Sequence, residues 1–230
     1  MFRKIIRILL ITLCWFTGLS IFAVLVFRFL PVPYTPLMIS RSMEQLFSGK
    51  ELRIEKDWKS LDQISAAMPL AVIASEDQKF EEHFGFDFEA IRKAEKFNSR
   101  HHGKKLKGAS TISQQTSKNV FLWPARSWIR KGFEVYFTLL TELFWSKERI
   151  MEVYLNVIET GDGIYGVEAA AQNYFHKPAS KLNNREAALI AAVLPNPRKW
   201  SPARPNAYIQ RRASSITRFM SQIQVDDFNK

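Results

Sequence analysis

An uncharged apolar run of twenty residues, from Ile8 to Phe27, constrains this chain more than any other feature of its sequence. A helix of that length rises about 30 Å, which matches the hydrocarbon core of a bilayer. Three basic residues lie among the first seven positions, and by the positive-inside rule they keep the N-terminus in the cytoplasm. We therefore predict a cytoplasmic tip and one transmembrane anchor over residues 1–30, with the remaining chain beyond the inner face of the membrane.

A cleavable signal peptide is the alternative interpretation of this run. The run is longer than a typical signal-peptide core and no small-residue cleavage site closes it, which favours a retained anchor. Residues 31–60 follow, and Pro31, Pro33 and Pro36 predict a stiff juxtamembrane stalk there. The remaining residues, 61–225, suffice for one hydrophobic core and therefore for a single domain.

Charge and cysteine content limit the classes of partner and site. The formal net charge of +11 indicates an anionic partner, such as a phosphorylated substrate, an acidic membrane surface or a nucleic acid. Nucleic acid is disfavoured, because the basic domain is predicted to lie across the membrane from it. The single cysteine, Cys14, lies within the apolar run, so the sequence contains no disulfide pair and no Cys/His spacing for a structural zinc site.

Helical spacing recurs after the anchor and strand-like alternation does not, so we predict a mainly α fold. The expected helix caps are Asp87, Thr111 with Gln114, Ser146, and Asn183 with Glu186. Gly161, Gly163 and Gly166 have the spacing of a dinucleotide-binding loop. No strand is predicted before these glycines, so we interpret them as positions of close helix packing.

Two adjacent carboxylates, Glu76 and Asp77, directly follow an apolar run that should be buried. Holding a carboxylate beside apolar surface costs free energy, and such a residue is a candidate for proton transfer near neutral pH. Phe80, His83 and Gly85 complete the stretch. Taken alone, the stretch favours the simpler interpretation of an acidic helix end that stops at a glycine.

A basic loop spans residues 100–107. It is either a solvated loop or a contact for phosphate or anionic headgroups. His101 and His102 are poor candidates for metal ligands, since no third ligand stands at helical spacing. The polar helix predicted next should begin with backbone amides that attract anions. It carries Gln115 and Lys118 on one face, although an ordinary capped polar helix is the alternative.

A further helix, predicted from about Trp128 to Trp145, carries Arg130 and Glu134 at i, i+4 spacing. On most surface helices such a pair is only a weak ion pair. Glu142 lies on the same helix, and spacing does not show which of the two glutamates faces a cleft.

Together these motifs resemble the family of peptidoglycan glycosyltransferases, the transglycosylase module of class A penicillin-binding proteins, and most closely its stand-alone monofunctional form. They occur in the family's order over about residues 61–220. The matching runs are Glu76-Asp77-x-x-Phe80-x-x-His83-x-Gly85-x-Asp87, Gly108-Ala109-Ser110-Thr111-Ile112-Ser113-Gln114-Gln115 with Lys118-Asn119, Arg130-Lys131-x-x-Glu134, Tyr154-Leu155-Asn156, and Glu186-Ala187. No Ser-x-x-Lys occurs, so the penicillin-binding transpeptidase half is absent and peptide crosslinking is not expected.

The resemblance implies a lysozyme-like helical domain with a small jaw lobe at about residues 88–127, preceded by one transmembrane helix. The reaction it implies extends a glycan strand. The GlcNAc 4-hydroxyl of lipid II attacks C1 of the lipid-linked strand with inversion and displaces undecaprenyl diphosphate. A lytic glycan-cleaving transglycosylase and a non-catalytic membrane-tethered scaffold are the alternatives.

By this resemblance Glu76 is the general base, and Glu134 positions the donor and its diphosphate. Asp77 and His83 are expected to hold the Glu76 segment, with direct ligand contact left open. The implied substrate-binding residues are Asp77, Phe80, His83, Ser110, Thr111, Gln114, Gln115, Lys118, Asn119, Arg130 and Lys131. The resemblance leaves open a divalent cation, Mg²⁺ or Mn²⁺, at the diphosphate, and implies no protein-held metal.

The implied partners are lipid II, the lipid-linked glycan strand and the membrane, with cell-division and cell-wall synthesis proteins as candidate protein partners. The implied location is the bacterial inner membrane, crossed once, with the catalytic domain in the periplasm.

Overall fold

The computed structural model describes residues 2–101, 107–125 and 127–223. These ranges are mainly helical, which confirms the predicted fold class. The helices are α1 (Phe2–Phe29), α2 (Pro36–Phe47), α3 (Ala67–Glu76), α4 (Phe88–Arg100), α5 (Ile112–Phe121), α6 (Trp128–Phe144), α7 (Lys147–Val157), α8 (Val167–Phe175), α9 (Asn184–Val193) and α10 (Ala207–Met220). Short strands lie at β1 (Glu55–Lys56), β2 (Glu159–Gly161) and β3 (Ile164–Tyr165), and 3₁₀ turns at Leu61–Gln63 and Ala179–Lys181.

Helix α3 lies in the core of the domain, and most of its residues are buried. This helix is apolar along its length and packs against α9 and α10. Helix α9 is rich in alanine, and Ala188, Ala191 and Ala192 are fully buried. Small side chains allow two helix backbones to approach closely, so α3 is enclosed over most of its surface. A second packed group consists of α5 against α6 and α7.

Every helix cap predicted from the sequence forms. Single side-chain caps begin α4 and α7, and capping boxes begin α5 and α9. Each cap satisfies backbone amides that would otherwise lack a partner and contributes about 1 kcal/mol. The cap residues are Asp87, Ser146, Thr111 with Gln114, and Asn183 with Glu186.

Helix α1 has 28 residues and is long and apolar enough to cross a membrane. It packs against α6 through aromatic contacts of Phe16 with Phe133 and Tyr136, whose ring centroids lie 5.6 and 5.5 Å away. The Trp145 indole N–H donates a hydrogen bond of 2.8 Å to the carbonyl oxygen of Val24. Helix α1 therefore contacts the domain over about half of its length.

The segment predicted as a stalk contains helix α2, and side chains of the domain hold the chain on the N-terminal side of it. The Arg149 guanidinium donates to the carbonyl oxygens of Phe27 and Leu30 at the end of α1. Lys56 donates to two further carbonyl oxygens in the turn before α2. Unpaired carbonyl groups at a helix C-terminus attract cations, which explains the position of Arg149.

The strands form one small sheet in the order β1-β3-β2, with β1 parallel and β2 antiparallel to β3. The expectation that no strand lies near the three glycines was wrong, because strands of two or three residues are too short to show an alternating pattern. The predicted close packing is confirmed. A Cβ atom at Gly161 would lie 2.0 Å from the Tyr174 hydroxyl, and one at Gly166 would lie 2.9 Å from the Asn156 carbonyl oxygen.

Candidate active site

Glu76 is the last residue of α3, where the buried helix reaches a cleft. Its side chain is 15% exposed. The Ser75 hydroxyl donates to Oε1 at 2.9 Å, and the Gln115 amide donates to Oε2 at 3.2 Å. Arg212 Nη2 lies 3.4 Å from Oε1. We define the base cleft as the cavity of about 320 Å³ whose lining includes Glu76 and Ser110.

Asp77 and His83 support the Glu76 segment from inside the protein. His83 Nε2 lies 2.9 and 3.0 Å from the two oxygens of the buried Asp77 carboxylate. Asp77 Oδ2 also accepts a hydrogen bond of 3.0 Å from the backbone N–H of Ile112, the first residue of α5. We expected the start of α5 to attract an anion of the ligand, but in the structure this amide bonds the Asp77 carboxylate. A side chain already in the fold satisfies it without a ligand.

Three more of the predicted substrate-binding residues are buried supports. Phe80 is fully buried, with the Lys147 ammonium 4.7 Å from its ring centroid. The Thr111 hydroxyl donates to the carbonyl oxygen of Gly85 at 2.7 Å, so the cap of α5 also fixes the loop after Glu76. Gln114 completes the capping box with Thr111 and is buried. Of the three, only Thr111 also lines the base cleft.

Lys118, Asn119 and Arg130 face a second cavity. We define the cation cleft as this cavity, which measures about 510 Å³ and whose lining also includes Arg41, Trp123 and Glu159. Burial lowers the pKa of Lys118, opposed by the nearby charge of Glu134. Three cations therefore line one cleft, and their mutual repulsion favours binding of an anion there.

Glu134, on α6, is buried, and its charge raises the pKa of the nearby Lys118. It forms ion pairs with Lys131 and with Arg130, whose Nη1 lies 3.5 Å from its Oε2. Lys131 is 41% exposed and is not among the residues that line the cation cleft. Glu142 has another role, since it bonds Lys147 at 2.8 Å and the Ser113 hydroxyl. The structure thus distinguishes the two glutamates that spacing alone did not.

Gln115 connects the two clefts. Its amide N–H donates to Glu76, and its carbonyl oxygen accepts from the Tyr154 hydroxyl at 3.4 Å. A smaller cavity, whose lining includes Gln115, Lys118 and Tyr154, also borders Glu159. Burial raises the pKa of Tyr154 well above its ordinary value, so its hydroxyl stays a hydrogen-bond donor.

Ser75, Arg212, Tyr154 and Glu159 are site residues that the sequence did not single out for a role. Arg212 lies on α10, and nothing in the spacing of the sequence connected it with Glu76. The basic loop predicted at residues 100–107, including His102, lies largely outside the described residues. His101 is described, and its Nδ1 lies 2.8 Å from the Phe97 carbonyl oxygen at the end of α4.

The described part of the chain holds no group of three or more His, Cys, Asp or Glu side chains that could bind a metal ion. Near the cation cleft, both oxygens of Glu134 already face Lys131 and Arg130. Mg²⁺ and Mn²⁺ prefer several oxygen ligands. The described residues near this cleft therefore form no metal site made of protein ligands alone.

The fold and the clefts define a helical protein with one N-terminal helix long and apolar enough to cross a membrane, in which a carboxylate, Glu76, is connected through Gln115 to a cleft lined by cations. The chain belongs to the transglycosylase family, whose model matches residues 43–221. It is 55% identical over 221 residues to a biosynthetic peptidoglycan transglycosylase of Bacteroides thetaiotaomicron, covering 96% of this chain and 88% of that protein. Proteins of the same name are 49% identical in Pseudomonas syringae pv. syringae (99% and 96% covered) and 51% identical in Pseudomonas entomophila (97% and 94% covered).

Proposed function

We propose that this chain is a peptidoglycan glycan-strand polymerase, an inverting hexosyltransferase. It transfers the lipid-linked growing strand to the GlcNAc 4-hydroxyl of lipid II and releases undecaprenyl diphosphate. The observation that carries the proposal is the placement of Glu76 beside the base cleft, connected through Gln115 to a cleft lined by Lys118 and Arg130. Family membership and relatives named biosynthetic peptidoglycan transglycosylase support it.

Glu76 is the proposed general base. An alcohol is a weak nucleophile, so a carboxylate must accept its proton as the new glycosidic bond forms. Hydrogen bonds from Ser75 and Gln115 hold the Glu76 carboxylate in one orientation. Each carboxylate oxygen can accept two hydrogen bonds, so the carboxylate retains capacity for the substrate hydroxyl.

The cation cleft is the proposed site of the departing diphosphate. A diphosphate leaves as an anion and needs no protonation, in contrast to the leaving alcohol of a glycosidase. What it requires is positive charge held in advance around the departing oxygens. Lys118 and Arg130 line the cleft, and Asn119 adds an amide donor. Glu134 fixes Arg130 through its ion pair and thereby positions the donor side.

The remaining substrate contacts are also proposals. Ser110 lines the base cleft, where it is placed to meet the acceptor sugar. Asp77, Phe80, His83, Thr111 and Gln114 act as supports for Glu76 and α5. Lys131 balances the charge of Glu134 at the edge of the site.

We further propose that α1 anchors the chain in the bacterial inner membrane, with the N-terminus cytoplasmic and the catalytic domain periplasmic. The proposed segments are the anchor at residues 1–30, the juxtamembrane segment at residues 31–60 and the catalytic domain at residues 61–225. The jaw lobe of the catalytic domain lies at about residues 88–127. Both substrates carry lipid tails, so a tether to the same membrane raises their effective concentration. Proteins of cell division and cell-wall synthesis are the proposed protein partners.

Polymerisation of purified lipid II by the detergent-solubilised full-length protein tests this function, with products sized on a gel. We expect glycan strands from wild type and a loss of about 10²-fold or more in Glu76→Gln, because the amide cannot accept the proton. Glu82→Gln is the matched control, since Glu82 is exposed in the loop that follows Glu76. This control should retain the wild-type rate.

Other outcomes identify the alternatives. Shortening of preformed glycan by wild type, without strand synthesis, would indicate a lytic transglycosylase. If wild type and Glu76→Gln both bind lipid II and neither forms any product, the protein is a scaffold. A second reaction series with a chelator tests the divalent ion, and an unchanged rate is expected from the paired state of Glu134.

A further inference from the structure

Glu159 is a largely enclosed carboxylate in the cleft that the proposed mechanism does not use. It lies on β2, and its side chain is 9% exposed. It borders both the cation cleft and the smaller cavity beside Gln115 and Lys118. No other carboxylate among the described residues lines the cation cleft.

The carboxylate of Glu159 has few partners. Among the described residues its one ion pair is with Arg41, whose Nε lies 3.4 Å from Oε1. Neither Arg41 Nε nor Glu159 Oε1 has a hydrogen-bond partner of good geometry among the described residues, although both atoms are buried. Burial raises the pKa of Glu159, and the charges of Arg41 and Arg198 offset part of that effect. Because Oε1 is enclosed beside Arg41, the oxygen that a ligand in the cleft can reach is Oε2, which accepts no hydrogen bond from the described residues. A ligand group that donates a hydrogen bond to Oε2 would therefore be bound more tightly.

The other residues that line the cleft indicate which kind of ligand would donate a hydrogen bond to Glu159. Trp123 lines the same cleft and is 47% exposed, and Leu37 and Leu122 add apolar surface. Lys118 and Arg130 provide charge for a phosphate in the same cleft. A ligand that meets an aromatic face, a carboxylate and two cations together is a sugar attached to a phosphate. Its hydroxyl groups are the donors that a carboxylate accepts from, and polar contacts of this kind fix orientation in a binding site.

We propose that Glu159 accepts a hydrogen bond from a hydroxyl group of the sugar bound in the cation cleft, with Arg41 holding the carboxylate in position. This inference rests on the proposed function, because it takes the glycan donor as the ligand. When lipid II is the only substrate supplied, the first donor is itself a lipid II molecule, so lipid II reports on this subsite. Arg41 lies on α2, before the first residue matched by the family model, 43. The segment next to the anchor therefore completes a substrate subsite in addition to tethering the domain.

The competing interpretation is a brace between α2 and the sheet. In that case the Arg41 to Glu159 pair stabilises the fold and no substrate touches it. The two interpretations differ in what each variant changes, since a brace affects unfolding whereas a subsite affects the affinity for lipid II. Removal of a hydrogen bond made equally in the bound state and in the transition state raises KM and leaves kcat unchanged.

Two measurements on the full-length protein in detergent separate them. The first is lipid II polymerisation, with kcat and KM for Glu159→Ala, Glu159→Gln and Arg41→Met. The second is the Kd for lipid II of the same variants in a Glu76→Gln background, where turnover should be slower by about 10²-fold or more. Asp162→Asn is the matched control, because Asp162 is a neighbouring carboxylate that is 43% exposed and paired with Lys50 and Arg198.

We expect Glu159→Ala to raise both KM and Kd about tenfold. Glu159→Gln and Arg41→Met should raise them by less. In all three variants kcat should stay within about twofold of the wild-type value. Asp162→Asn should match wild type. Unchanged KM and Kd with a lowered melting temperature would show a brace and overturn the proposal. If wild type makes no polymer the proposed function fails, yet the Kd series still reports on Glu159, so the two failures are distinguishable.

Discussion

Lys118 is partly removed from water, which disfavours its charged form, although its proposed role requires the positive charge. Burial lowers its pKa, so the side chain loses its proton at a lower pH than an ordinary lysine does. The departing diphosphate needs that positive charge. We therefore expect kcat/KM, which reports on the free enzyme, to fall on the alkaline side at a pH below the ordinary lysine value of about 10.4.

Lys118→Arg tests this assignment, because a guanidinium stays charged over the whole range. The alkaline limb of the kcat/KM profile should move to higher pH in this variant, even if the rate at neutral pH is lower. Lys50→Arg is the control, since Lys50 is 58% exposed and pairs only with Asp162 among the described residues. An alkaline limb at the same pH in wild type and Lys118→Arg would assign the titration to another group.

Whether a residue of the site could be predicted from the sequence depends on how far along the chain its partners lie. Glu76, Gln115 and Lys118 were predicted from short motifs whose residues lie close in sequence. Arg212 was not connected with Glu76, because 136 positions separate them and only the packing of α10 on α3 brings them together. Glu159 was missed for the same reason, since its pairing with Arg41 depends on where α2 lies.

The loop between α3 and α4 is held against α6 at Gly85. Gly85 has a φ of +78°, and a Cβ there would lie 2.7 Å from Thr138 Cγ2 and 3.0 Å from Glu142 Cγ. Gly85→Ala should therefore suffer both backbone strain and a steric clash. We expect a loss of about 2–4 kcal/mol, of which the clash contributes about 1–3. The lowered stability is measurable as a lower melting temperature in detergent.

Two further variants separate the strain from the clash. Gly49→Ala carries the strain alone, because Gly49 has a φ of +67° and a Cβ added there would have no other atom within 4 Å. Thr138→Ser removes the clashing methyl group and keeps the hydroxyl that donates to the Glu134 carbonyl oxygen. In Gly85→Ala with Thr138→Ser, part of the lost stability should return, relative to Thr138→Ser alone. Equal losses in Gly49→Ala and Gly85→Ala would refute the clash.

Elements differ in how far the sequence specifies them. The caps of α4, α5, α7 and α9 were predicted, because the capping residues and the backbone amides they satisfy lie within one turn. Helix α2 also begins with a side-chain cap, Thr35, but its prolines led to the prediction of a stalk there. The small sheet was not predicted, since β1 pairs with β3 over more than a hundred positions, from Glu55 to Ile164. A strand of two residues has no pattern of its own, so the sheet depends on the tertiary fold.

Helices α1 and α6, which pack side by side, both expose apolar side chains. Helix α1 is exposed along most of its length, and α6, which packs beside it, has its own exposed apolar residues. They are Trp128, Ile129, Val135, Leu139 and Leu143. The last three lie four positions apart and therefore share one face of the helix. Because Phe16, in the middle of the apolar run, contacts α6, we expect this face of α6 to enter the membrane with α1.

Leu139→Lys tests that placement, since Leu139 is 45% exposed on α6. A lysine on a lipid-facing surface costs about 2–4 kcal/mol at the bilayer midplane and less near the interface. We expect kcat/KM on lipid II in vesicles to fall about fivefold or more, while turnover of a water-soluble short-chain analogue stays near wild type. Phe219→Lys on α10 is the control, because Phe219 is 41% exposed on a helix that packs on α3 and α9.

The two substrates distinguish a membrane effect from damage to the site. If Leu139→Lys slows both reactions equally, the substitution has disturbed the fold of α6 and with it Arg130 and Glu134, which lie on the same helix. If neither reaction changes, the exposed face of α6 lies outside the bilayer. A loss confined to vesicles would mean that the domain reaches its lipid-linked substrates partly immersed, so that the cation cleft opens close to the level of the phosphate groups.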